Sequence, residues 1–64
     1  MKLYLVGYPD SDYRFAVRAE NRIRAIELAA KYDGSNDPAK SARSGYWKAR
    51  VAKAADAIGT LINL

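Results

Sequence analysis

The sequence predicts a small α+β fold: an antiparallel sheet covered on one face by a single helix. Three observations predict it. Two segments near the start alternate with a period of two, the segment after them repeats at helical spacing, and a period-two stretch returns after a polar connection. The alternative architecture is two strands plus two helices, in which the last third of the chain is helical.

The first strand spans Lys2 to Tyr8, where Leu3 and Leu5 alternate with Tyr4, Val6 and Tyr8. The second spans Tyr13 to Ala19, where Tyr13, Phe15, Val17 and Ala19 alternate with Arg14, Ala16 and Arg18. Pro9-Asp10-Ser11-Asp12 between them suits a turn, because proline presets φ and the short polar side chains bond nearby amides. A hairpin is expected.

The period then changes. Ile23, Ala25, Ile26, Leu28, Ala29, Ala30 and Tyr32 cover one broad side of a helix, and Arg24, Glu27 and Lys31 cluster opposite at spacings that allow charge pairing. Asn21 is the expected N-cap, and Gly34 is placed to end the helix in the left-handed conformation. The polar connection from Asp33 to Gly45 has room for one short helical turn. Asp37 and Pro38 supply its cap and first residue, and Gly45 its stop.

The stretch from Tyr46 to Leu64 fits two periods. At helical spacing Trp47, Val51, Ala54, Ile58 and Leu61 form a stripe. At period two Trp47, Ala49 and Val51 alternate with Tyr46, Lys48 and Arg50, and Thr60 to Leu64 is a short tail suited to a strand. Strands are favoured, because the first strand is apolar or aromatic on both faces and needs a neighbour on each side. Gly59 would also cost a helix interior about 1 kcal/mol against alanine.

A chain of 64 residues forms one small domain, near the lower limit for a single core without staples. There is no cysteine, which excludes disulfides and thiolate metal sites, and no histidine, which removes the usual general base and the commonest metal ligand. Ser and Thr therefore have no histidine to activate them, and the four scattered glycines form no phosphate loop. Asp10 and Asp12 resemble the start of a calcium loop, but no bidentate glutamate follows at the required spacing. A non-enzymatic protein without cofactor or metal is expected. The net charge of +4, from 11 basic and 7 acidic residues, permits an acidic partner. No apolar run is long enough to span a bilayer, and Met1-Lys2 leads into a strand rather than a signal-peptide pattern, so a cytoplasmic protein without membrane contact is expected.

One constellation remains. With Leu3, Leu5, Phe15, Val17, Trp47 and Val51 directed at the helix, the opposite face carries Lys2, Tyr4, Val6, Tyr8, Arg14, Arg18, Tyr46, Lys48 and Arg50. Such a face is either ordinary solvated sheet surface or a contact surface, since Tyr and Arg recur as binding anchors. The candidate partner-binding residues are Tyr4, Tyr8, Arg14, Arg18, Tyr46, Lys48 and Arg50. They suit a protein or nucleoprotein partner with an acidic surface, and they also suit single-stranded nucleic acid, with bases on the tyrosines and phosphates on the cations.

The succession Leu3 to Tyr8, Tyr13 to Ala19 and Asn21 to Tyr32, in a short cysteine-free chain, resembles the small accessory proteins of bacteriophages, including anti-CRISPR inhibitors. The resemblance is one of size and style and carries no motif, so no residue role transfers from it. It implies a compact protein that binds and blocks a larger host machine, acting in the host cytoplasm.

Overall fold

The computed structural model describes all residues, 1–64. The chain runs β1 (Lys2–Gly7), β2 (Tyr13–Ala19), α1 (Arg22–Tyr32), α2 (Pro38–Arg43) and β3 (Lys48–Val51). A 3-10 turn (Ile58–Thr60) and β4 (Ile62–Asn63) follow. The strands form one sheet in the order β3-β1-β2-β4. β1 is antiparallel to both neighbours, and β4 is parallel to β2, so the α+β expectation holds with a mixed sheet. The third strand lies beside β1, which is therefore a central strand of the sheet.

The helix boundaries follow local chemistry. The Asn21 side chain accepts the Arg24 N–H at 2.8 Å, capping α1. At the other end Gly34 has φ +95°, and two bonds, Ser35 N–H to Ala30 C=O at 2.9 Å and Gly34 N–H to Lys31 C=O at 3.2 Å, close a Schellman motif. Asp37 caps α2 through the Lys40 N–H, Pro38 stands at its start, and Gly45, at φ +78°, follows its end.

The core lies between α1 and one sheet face: Tyr4, Val6, Phe15, Val17 and Ala19 pack against Ala25, Ile26, Ala29 and Ala30, with Ala42 and Trp47 closing it. Three of the four buried residues of α1 are alanines, and Ile26 is its one large side chain in this core. Ile23 and Tyr32, expected on the buried side, are exposed at the ends of that face, although the Tyr32 ring still meets Phe15 edge-on at 5.9 Å.

The facing of β1 is the reverse of the sequence expectation. Tyr4 stands opposite Val17 and Val6 opposite Phe15, so Tyr4 and Val6 enter the core, and Leu3 and Leu5 turn to the other face. Both alternating sets of β1 are apolar, so periodicity could not choose between them; the register with β2 does. Leu5 is nevertheless only 2 % exposed and Ala16 0 %. Residues 52–61 connect β3 at one sheet edge to β4 at the other and pass over the face opposite α1. There Asp56, Ala57, Thr60 and Leu61 share a small cavity with Leu5, Tyr13 and Arg50. This strap makes β1 a strand buried on both sides.

A second departure is local. The β1–β2 register shifts between Val6 and Gly7, because Phe15 faces Val6 but Tyr13 faces Gly7. Arg14 is thus an extra residue, a β-bulge, and it returns Tyr13 to the strap face with Leu5. A Cβ on Gly7 would come within 2.9 Å of both the Asp12 carbonyl oxygen and the Tyr13 Cα, so the bulge needs glycine here.

These placements predict the stability of three variants in urea unfolding. Tyr4→Ala lowers stability by about 3 kcal/mol or more, as for a large aromatic removed from a core. Gly7→Ala costs about 1–3 kcal/mol through overpacking. Arg18→Ala, on an exposed side chain, stays within about 0.5 kcal/mol.

Candidate interaction site

The bulge and the turn after it gather aromatic and basic side chains at one end of the sheet. Tyr8, just beyond β1, stacks on Trp47 with ring centroids 4.8 Å apart, and Trp47 in turn leans on Phe15 at 6.2 Å. Tyr46 meets Tyr8 edge-on at 5.7 Å and stays 60 % exposed. The Tyr8 hydroxyl donates to the Asp33 carboxylate just past α1, tying the hairpin to the helix end. That hydrogen bond, together with burial, holds the Tyr8 phenol above its ordinary pKa and therefore protonated.

The cations are held by rings. The Arg14 guanidinium lies 5.8 Å from the Tyr8 centroid and 5.9 Å from that of Phe15. On the strap side, Tyr13 carries Lys48 Nζ at 4.6 Å and the Arg50 guanidinium at 5.0 Å. Each such contact contributes about 0.5–1 kcal/mol at an exposed site and biases the side chain toward the ring. Arg50 is engaged further: it donates to both Asp56 carboxylate oxygens, at 2.7 and 3.1 Å, and to the Val51 carbonyl at 3.2 Å. The Arg50 bonds, reinforced by the Lys53 N–H, hold the Asp56 carboxyl at a pKa of about 2 and raise that of Arg50.

Of the seven candidate partner-binding residues, the fold brings Tyr8, Arg14, Tyr46, Lys48 and Arg50 to this end. It places them on two sides of the sheet, joined around the bulge and the edge of β3, rather than on one flat face. Tyr4, only 7 % exposed, belongs to the core and is not available to a partner from this surface. Arg18 is exposed but pairs with Leu3 at the far end of the sheet, where it lines a groove with Glu20, Arg24 and Glu27. Lys2 and Val6, unlike Arg18, are on the α1 side, Val6 fully buried.

Two contributors escaped the sequence reading. Tyr13 alternates in sequence with Phe15 and Val17, and the bulge alone turns it to the opposite face. Gly7 inside a strand pattern is the signal that marks such a bulge. Asp56 has no comparable signal, because its pairing with Arg50 depends on the path of the strap. No helix is long and apolar enough to cross a membrane. Comparison with protein-family models, with curated proteins and with solved structures finds no match.

The Arg50–Asp56 pair sets an acid limit on the strap. The Asp56 pKa lies below its unfolded value of about 3.9, so its contribution is fully present above pH ~4 and is lost as pH falls toward about 2. Asp56→Asn removes that share of the acid-induced loss, and the two proteins converge in stability at the acid end. Urea midpoints measured across this range test it; identical pH dependence in both proteins would show that the pair does not hold the strap.

Proposed function

We propose that this protein is a small non-enzymatic binding protein that inhibits or modulates a larger protein or nucleoprotein assembly by occupying an acidic part of its surface. One observation carries the reading: Arg14 rests on Tyr8 beside the exposed ring of Tyr46, and Lys48 rests on Tyr13 on the other side of the same sheet end. Cations restrained before contact lose less conformational freedom on binding, and an exposed tyrosine supplies area together with a directed hydroxyl. The resemblance in size and style to small bacteriophage inhibitors such as the anti-CRISPR proteins agrees with this class of action and names no target.

The same geometry favours a protein surface over single-stranded nucleic acid. Base stacking needs a free ring face, whereas Tyr8 is stacked on Trp47 and approached by Arg14, and Tyr13 is occupied by Lys48 and Arg50. Among the tyrosines of this sheet end, Tyr46 is the most exposed.

The experiment is affinity capture from a host lysate with the wild-type chain and the Arg14→Ala/Lys48→Ala double variant. The expected result is a stoichiometric partner for wild type and at least a tenfold weaker complex for the variant, about 1.4 kcal/mol, with folding retained. A folded double variant of unchanged affinity would sink the reading. Titration with a mixed-sequence oligonucleotide separates the nucleic-acid alternative, which requires a log-log salt slope of about −0.7 per phosphate.

A further inference from the structure

The sheet ends on one side in an edge whose hydrogen-bonding groups are open. Ala52 N–H donates to Leu3 C=O at 2.8 Å, and Leu64 N–H donates to Ala16 C=O at 2.8 Å. The direction of backbone bonding alternates along a strand. Given the registers, Leu3, Leu5 and Gly7 therefore bond toward β3, and Lys48, Arg50 and Ala52 bond back. Ala49 and Val51 turn their N–H and C=O groups away from β1, on the side where the sheet order has no further strand. The Val51 carbonyl accepts Arg50 Nη1, but Ala49 N–H, Ala49 C=O and Val51 N–H have no partner within the chain.

Charge beside this edge selects its occupant. Ala49 and Val51 project to the α1 side, and Lys48 and Arg50 to the strap side. A second copy pairing antiparallel about Arg50 or Ala49 would set Arg50 against Arg50, or Lys48 against Arg50. Like charges directly opposite each other are destabilising. Asp56 of the second copy, which follows its β3, is engaged by its own Arg50 and gives no compensation there. An extended segment with acidic side chains meets neither objection.

We propose that the outer edge of β3 takes up an extended acidic segment of a partner protein as a fifth strand, with its carboxylates beside Lys48. Main-chain bonds to Ala49 and Val51 supply the pairing, and the charge supplies the selection. The proposal rests on the binding function above and specifies how the partner is held.

The test uses the full chain and a short synthetic peptide of alternating Val and Glu at low salt. A second peptide has the same sequence, N-methylated at alternate residues so that the carboxylates remain and one edge loses its donors. The expected result is binding of the unmodified peptide with amide exchange slowed at Ala49 and Val51. N-methylation and Ala49→Pro should each weaken binding about tenfold or more, ~1.4 kcal/mol. Proline is tolerated where a strand N–H faces outward, so the β1 ladder survives that change. Equal binding of both peptides, with exchange at Ala49 and Val51 unchanged, would overturn edge pairing and leave the charge contact of the proposed function standing. No binding of either peptide at low salt would overturn edge pairing, while the proposed function stands or falls on the capture experiment.

Discussion

The pairing of Tyr4 with Val17 and of Val6 with Phe15 is the constraint on which the rest of the molecule depends. It decides which side of β1 faces α1, and a slip of one residue would exchange the two sides. With Tyr4 and Val6 inside, Leu3 and Leu5 lie on the opposite face, where water must be excluded by something other than the helix. The strap of residues 52–61 does this. Its route over the sheet carries the chain from the β3 edge to the β4 edge, so the parallel pairing of β4 with β2 is a consequence of covering Leu5 and Ala16.

The bulge at Arg14 links that architecture to the surface chemistry. A regular hairpin would direct Tyr13 at α1 with Phe15 and leave Arg14 beside Arg18. The extra residue instead places Tyr13 under Lys48 and Arg50 and brings Arg14 to Tyr8 and Phe15. One local irregularity therefore produces two clusters of cation and ring, one on each side of the same sheet end. Gly7 makes it possible, since any side chain there would strike the backbone of the opposing strand.

Arg50 shows how structural and surface roles divide among like residues. Its guanidinium is committed to Asp56 and the Val51 carbonyl, which pins the start of the strap to the end of β3. Arg14 and Lys48 rest on rings and have no carboxylate partner in the chain, so their charge is directed outward. The sheet end thus presents Arg14 and Lys48, one on each side, without neutralising them.

The sequence by itself determined most of the elements: the hairpin, α1 with its Asn21 and Gly34 ends, and the short α2 with Asp37, Pro38 and Gly45, whereas the stretch after the connection fits two periods and tertiary pairing makes it strand. The hairpin and helices are set by local chemistry, by φ preferences, caps and periodicity, which act within a few residues. It also determined the basic and aromatic character of the candidate site, and five of its members fall together. Tertiary structure alone decided the facing of β1, because a strand apolar on both sides carries no periodic signal of direction. It likewise decided the loss of Tyr4 to the core, the distance of Arg18, the place of Tyr13 and the pairing of Arg50 with Asp56. Each depends on register or on the path of the strap, and those are fixed by which surfaces can be buried together rather than by any one segment.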